Sequence, residues 1–326
     1  MTTVSIQDKI KIWRAEVLSC LQEAQFGESP EYLTAPMQYA LESQGKMLRS
    51  ALCLAATEAV GGEWQQAVRL GAVLEIFHTF TLVHDDIMDG DELRRGKPTV
   101  HKAFDKNRAL LSGDTLLIYV YQLLSRVESG DLERLHRVFN QGAMDVCNGQ
   151  GMDMEFEDRQ DVTPEEYERM IDLKTGALIR LACELGGIQG GGTSETVEAL
   201  ARFGVLLGRA FQMQDDLLEL TSSTETMGKS LGSDILNEKK TWIWLDLRSH
   251  LSDRQLQEWR AMKADGKDEE VIGEARAWMN EYGTLDRAKA LVDGWIAEAD
   301  DILKAPMFQD TSSLAALSHR ILKRVN

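Results

Sequence analysis

The chain holds five prolines in 326 residues, Pro30, Pro36, Pro98, Pro164 and Pro306, and none between residues 165 and 305. Proline removes a backbone donor and breaks helices, so this scarcity suits successive helices and fits poorly with a strand-and-turn protein. Apolar spacing agrees. Ile6, Ile10, Trp13, Val17 and Leu21 recur at intervals of three and four and form one stripe. Thr163-Pro164-Glu165-Glu166 has a threonine N-cap, proline at the first helical position and glutamate three after the cap, and Ser252 with Gln255 repeats the capping pattern. Breaks are expected at 61–62, 90, 129–130, 186–192 and 222–226. Between them the pattern predicts helices near 4–24, 37–60, 64–89, 107–128, 132–157, 164–185, 195–221, 236–250, 253–264, 268–281, 285–303 and 311–324, with no alternating strand. The expectation is a single all-α domain over residues 1–326.

Apolar residues make up 43% of the chain, ample for a core. The formal charge, 36 − 53 = −17, argues against nucleic acid as a partner, because phosphate backbones need a basic face. No stretch approaches the ~18 uncharged apolar residues of a membrane span, and the N-terminus lacks a signal peptide's apolar centre. Cys20, Cys53, Cys147 and Cys183 lie far apart and read as buried thiols of a reducing cytoplasm.

Two helices carry carboxylates where a helix should not want them. The first runs through Leu70, Val73, Leu74 and Phe77 into His84-Asp85-Asp86-Ile87-Met88-Asp89, before Gly90. The second runs through Phe203, Leu206, Leu207 and Phe211 into Asp215-Asp216-Leu217-Leu218-Glu219. In each, the first and last acids share a face at i and i+4. Both clusters lie toward the helix C-terminus, where the macrodipole is already negative and each exposed acid costs about 0.3–1 kcal/mol. Aspartates without histidine or cysteine partners suit a hard, oxygen-loving cation such as magnesium, which takes one or two carboxylates together with phosphate oxygens. Basic residues stand in small, placed groups: Lys46 and Arg49, Arg94 and Arg95, Lys174, Lys229, Lys239 and Lys240. Arginine grips phosphate bidentately and lysine supplies a point charge.

Six motifs occur in order: Gly45-Lys46-x-x-Arg49, Asp85-Asp86-Ile87-Met88-Asp89, Arg94-Arg95-Gly96, Lys174-Thr175, Phe211-Gln212-x-x-Asp215-Asp216, and Gly228-Lys229-x-x-Gly232-x-Asp234 through Lys239. Together they resemble the trans-isoprenyl diphosphate synthases, the polyprenyl synthetases, over about residues 40–245. The resemblance implies a single-domain bundle of antiparallel helices around a deep central cavity, as a homodimer, with both acidic clusters at its mouth. It implies head-to-tail condensation of isopentenyl diphosphate with dimethylallyl, geranyl or farnesyl diphosphate. Asp85 and Asp89 would hold two magnesium ions and Asp215 a third, with Asp86, Asp216 and Glu219 acting around them. Arg94, Lys174, Gln212, Lys229 and Lys239 would serve the allylic diphosphate, with Thr175 beside them among the catalytic residues, and Lys46, Arg49, His78 and Arg95 the isopentenyl diphosphate. Two departures stand out. Glu219 replaces the usual aspartate, and Ser50 follows Arg49 where proline is common; neither is expected to matter much.

In this family the residues four and five before the first aspartate floor the product tunnel; here they are Thr81 and Phe80. Phe80 lies about one helical turn below Asp85, so its ring should limit the product to about fifteen to twenty carbons, geranylgeranyl diphosphate being favoured. Three other readings compete. Glu75-x-x-His78 and Glu133-x-x-His136 supply half the ligand set of a di-iron bundle, but leave the acidic clusters and ordered basic groups unexplained. A terpene cyclase shares the first acidic motif but normally lacks Gly-Lys-x-x-Arg. A non-catalytic regulatory homologue tends to lose a cluster, and both are intact here.

Overall fold

The computed structural model describes residues 5–23, 29–42, 45–128, 131–221 and 232–322. In chain order the elements are α1 (Ile6–Glu23), α2 (Glu31–Glu42), α3 (Leu48–Ala59), a 3-10 turn (Trp64–Ala67), α4 (Val68–Met88), a hairpin of β1 (Leu93–Arg94) and β2 (Lys97–Pro98), α5 (Val100–Ala103), α6 (Lys106–Leu124), α7 (Leu132–Asp158), α8 (Pro164–Ile171), a π-helical turn (Asp172–Gly176), α9 (Ala177–Gln189), α10 (Ser194–Thr221), α11 (Ser233–Leu236), α12 (Trp242–His250), α13 (Asp253–Ala264), α14 (Asp268–Glu281), α15 (Thr284–Leu303) and α16 (Ser312–Leu322). The all-α expectation holds, with one two-residue hairpin that no alternating pattern announced. Among the described residues no helix is long and apolar enough to cross a membrane.

The chain divides into two compact units. The first comprises Met1–Gly142, Leu178–Arg202 and Ile302–Ser318. Its axis is α4, whose residues from Leu70 to Phe77 are all buried, against α1, α3 and α6. A helix apolar on every side has no face for water and must sit at the centre. Burying Leu70, Leu74 and Phe77 contributes about 1.5–3 kcal/mol each. The break expected at 186–192 begins later, because α9 continues to Gln189. Gly186 serves packing instead. A Cβ there would lie 2.1 Å from the Cys53 carbonyl oxygen, and Thr57 Oγ1 donates to the Gly186 carbonyl at 2.9 Å.

The second unit comprises Ala143–Ala177, Phe203–Asp301 and His319–Asn326. Phe203, Leu207 and Met213 of α10 are buried in it. The Trp244 and Trp259 rings lie 5.1 Å apart, and Trp259 Nε1 donates to the Val271 carbonyl at 3.0 Å, fastening α13 to α14. Both expected capping boxes are formed, Thr163 with Glu166 and Ser252 with Gln255. Each cap is worth about 1 kcal/mol.

Other expectations need correction. The predicted helix 37–60 is two helices, because Met47 takes a left-handed conformation at φ 51° and starts α3 afresh. Helix α2 begins at Glu31 and runs through Pro36, so that proline does not mark a boundary. Cys53 and Cys183 are buried, but Cys20 is half-buried and Cys147 exposed.

Candidate active site

In the first unit, α4 ends in the first acidic cluster. Asp85 is half-buried, Asp86 buried and Asp89 exposed. Asp89 caps the helix, its N–H donating to the Asp85 carbonyl at 2.8 Å. The chain then reverses in the hairpin, with Leu93 opposite Pro98 and Arg94 opposite Lys97. Arg95 and Gly96 have φ of 54° and 76°, the two positive values that a type I′ turn demands. The turn brings Arg94 back onto the cluster, where its Nε donates to Asp86 Oδ1 at 2.5 Å. Burial pushes the Asp86 carboxyl up to about 6, with the Arg94 charge opposing the shift.

Arg95 reaches another part of the same unit. Its guanidinium lies where a side chain on Gly45 would stand, 2.6 Å from that would-be Cβ. The hairpin and the Gly45-Lys46-x-x-Arg49 motif therefore meet. Lys46 is not on a helix with Arg49, as the spacing had implied; it is exposed and precedes α3. Burial pulls the Arg49 guanidinium down to about 10, with Glu75 opposing the shift and Arg95 adding to it. Arg49 Nε is buried without a hydrogen-bond partner among the described residues. Burial holds His78 well below the ordinary imidazole range, and the charges of Arg49, Arg95 and Arg94 push it further. Ser50 is engaged rather than incidental. Its N–H and its Oγ both donate to Glu75 Oε1, at 3.0 and 2.8 Å. Phe80 is half-buried, its ring 5.6 Å from Phe77 and 4.9 Å from His84, and Thr81 Oγ1 donates to the His78 carbonyl at 2.8 Å.

In the second unit, Lys174 and Thr175 stand on the π-helical turn. Such a turn inserts one residue into a helix and re-aims its side chains. Gly149 admits it, since a Cβ there would lie 2.2 Å from Lys174 N. Lys174 Nζ pairs with Asp153 Oδ2 at 2.5 Å, and Thr175 Oγ1 donates to Gln212 Oε1 at 2.8 Å. On α10, Asp215 and Glu219 are half-buried and Asp216 is buried. Gln212 Nε2 donates to Asp216 Oδ1 at 3.0 Å, and Glu219 Oε1 accepts from Asp234 N at 2.9 Å. Burial and the Glu219 carboxyl push Asp234 up to about 7. Lys239 Nζ stands 3.9 Å from Asp234 Oδ1. Burial opposes its charge, but Asp234, Asp153, Asp216 and Glu219 together raise its pKa. Lys229 lies outside the described residues.

Among the described residues no three His, Cys, Asp or Glu side chains converge into a closed metal cage. Magnesium does not require one, because it keeps waters and takes one or two carboxylates plus substrate phosphates. The oxygen-only donors Asp85 and Asp89 of the first unit, and separately Asp215 of the second, are of the type that ion takes. The motifs left out Asp153, Tyr167 and the carboxylate role of Glu75. The signal for Asp153 was Gly149 inside a helix, four residues before it, where a glycine in a helix has a packing or functional reason.

An all-helical chain with aspartate-rich helix ends and placed basic groups defines an isoprenoid-synthase type of protein. Residues 30–279 match the polyprenyl synthetase family. The chain belongs to that family. It is 36% identical to a short chain isoprenyl diphosphate synthase of Methanothermobacter thermautotrophicus over 300 residues, 91% of each chain. It is 35% identical to a geranylgeranyl diphosphate synthase of Methanosarcina mazei over 310 residues, 93% of each chain. The crystal structure of geranylgeranyl pyrophosphate synthetase from Pyrococcus horikoshii superposes with a TM-score of 0.90 at 32% identity, covering 98% of each chain.

Proposed function

We propose that the chain is a short-chain trans-prenyltransferase that joins isopentenyl diphosphate head-to-tail to dimethylallyl, geranyl or farnesyl diphosphate. Its product has about fifteen to twenty carbons, geranylgeranyl diphosphate first, and its tail needs a dry apolar path. The observation that carries this reading is the cationic group of Arg49 and Arg95 around a neutral His78. Two guanidiniums that repel each other, with Arg49 Nε buried and lacking a hydrogen-bond partner among the described residues, are poised for an anion of high charge. Lys46 joins them on the isopentenyl diphosphate. Arg94, Lys174, Gln212, Lys229 and Lys239 serve the allylic diphosphate, with Thr175 orienting Gln212. Asp85, Asp89 and Asp215 hold the divalent ions, about three magnesium ions per site, and Asp86, Asp216 and Glu219 support them. Magnesium, when bound, supplies positive charge that stabilises the departing diphosphate. The chain's own cations add to that charge and align the two substrates.

Leu111, Ile118 and Tyr121 present apolar surface on one side of α6, exposed by 47%, 60% and 39%, which supports a homodimer. The buried thiols of Cys53 and Cys183 suit the cytoplasm. The di-iron reading is not favoured, because Glu75 Oε1 is taken by Ser50 and Glu133 is 92% exposed. The test is labelled isopentenyl diphosphate with each allylic primer and magnesium. Elongated product is expected. Diphosphate release without isopentenyl incorporation would instead mark a cyclase, and no turnover with any primer a non-catalytic homologue.

A further inference from the structure

The second acidic cluster is fastened by a residue outside every motif. Tyr167 lies in the first turn of α8, directly behind the Thr163 capping box, and its side chain is buried. Its hydroxyl donates to Asp216 Oδ2. The other oxygen, Asp216 Oδ1, accepts from Gln212 Nε2 at 3.0 Å, and Gln212 Oε1 in turn accepts from Thr175 Oγ1 at 2.8 Å. Two neutral donors thus grip the buried carboxylate from opposite oxygens, and one of them is held from the π-helical turn that carries Lys174.

A phenylalanine would fill the same space. Burying a hydroxyl costs free energy unless it finds a partner, and here the partner is a carboxylate, which makes the bond charge-assisted. The donor is itself rigidly placed. Thr163 and Glu166 close the cap, and Arg159 holds Glu166 through two bonds at 2.8 and 3.1 Å. Each carboxylate oxygen accepts at two lone-pair sites, so both gripped oxygens keep acceptor capacity.

We propose that Tyr167, together with Thr175 acting through Gln212, is a positioning residue that fixes the Asp216 carboxylate for the metal-bound diphosphate. This rests on the reading of the α10 cluster as the diphosphate-side metal site. The competing role is mechanical, a tie between α8 and α10 that affects stability alone.

Calorimetric titration with magnesium and inorganic pyrophosphate separates the two, run on the wild type, Tyr167→Phe, Asp216→Asn and the double variant, with thermal melts alongside. Tyr167→Phe is expected to weaken magnesium-dependent pyrophosphate binding about 10–100-fold, the usual cost of losing an outer partner of a metal site. The KM for isopentenyl diphosphate should stay unchanged, and Tyr167→Phe should add nothing in the Asp216→Asn background. A lower melting temperature with wild-type pyrophosphate affinity would overturn the proposal, as would additivity in the double variant. Should the phenylalanine variant unfold, Thr175→Val breaks the same relay from its half-buried end; the same loss is expected, and wild-type affinity overturns the proposal. A wild type that binds no pyrophosphate overturns the metal-site reading and the proposal with it. A wild type that binds, with variants that bind equally, overturns the proposal alone.

Discussion

Arg94 Nε donates to Asp86 Oδ1 at 2.5 Å, and this bond fastens the β1–β2 hairpin to the buried carboxylate of the first acidic cluster. Asp86 is thereby occupied by a protein cation, whereas its half-buried and exposed neighbours Asp85 and Asp89 lie closer to solvent.

Arg94→Ala should destabilise the fold by about 1–3 kcal/mol, because it leaves a buried acceptor without its charged donor. Arg94 keeps 31% of its side chain exposed, so the loss stays below that of a fully enclosed ion pair. Arg94→Lys should recover only part of it, since lysine lacks the fixed fork. Urea unfolding measures this, and an Ala variant as stable as the wild type would show the bond to be inconsequential.

Replacing Ser50 with proline, the common family residue, should also destabilise. The first turn of α3 tolerates proline in backbone terms. The substitution nevertheless deletes both donors to Glu75 Oε1, at 3.0 and 2.8 Å, and Glu75 is only 4% exposed. The expected loss is about 1–3 kcal/mol by urea unfolding. Ser50→Ala keeps the backbone N–H and should cost less. A proline variant that is neutral or stabilised would mean that Glu75 finds other donors.

The carboxylate clusters, the capping boxes and the apolar α4 were legible because each depends on residues close in sequence. Thr163 with Glu166, and Asp85 with Asp89, are spaced by the helix repeat itself. Features that depend on long-range packing were not legible. Met47 adopts a left-handed φ of 51° although nothing in its type favours it. The π-helical turn exists where Gly149, distant in sequence, lets the backbone come close. The Tyr167–Asp216 contact spans 49 residues, and no spacing rule reaches that far. Arg95-Gly96 was read as phosphate chemistry, yet its two positive φ values also make it a hairpin turn.

Phe80→Ala should lengthen the product. The Phe80 ring sits between Phe77 and His84, at 5.6 and 4.9 Å, so it belongs to an aromatic ladder along α4. Removing the ring opens space one turn from Asp85 and costs about 3–5 kcal/mol if the site is fully packed, less here because Phe80 is only half-buried. Chain-length analysis of the prenyl product should show addition of at least one further isoprene unit. An unchanged product would place the floor elsewhere.

Magnesium with pyrophosphate should raise the melting temperature, because the pair binds only the folded chain. At a hundredfold excess over the dissociation constant the gain is about 2.7 kcal/mol. Asp85→Ala should shrink the shift, as should chelation of the metal. A shift that survives Asp85→Ala unchanged would mean that the cluster is merely solvated.

The last prediction concerns pH and His78. Burial pulls its imidazole well below the ordinary 6.5, with the Arg49, Arg95 and Arg94 charges adding to the effect, so the folded ring is neutral. In the unfolded chain the same ring takes up a proton as the pH falls through 6.5. Between that value and the depressed folded one, the unfolded state binds more protons than the folded state. Stability therefore rises with pH across this window and is lost on acidification, by at most about 1.4 kcal/mol per pH unit, while above it His78 contributes no slope. Asp86 works the other way. Its carboxyl is raised to about 6, so the folded state holds that proton more tightly and gains stability on acidification. The two effects oppose each other in the wild-type curve, which makes the difference between proteins the informative quantity. His78→Gln removes the imidazole and leaves Asp86 in place. Melting curves recorded from about pH 7 to pH 5 should show the variant losing less stability than the wild type on acidification, with a constant offset between the two above 6.5. Parallel curves would mean that His78 takes up its proton equally readily in the folded and unfolded chains, so that neither burial nor the arginines hold it neutral in the fold.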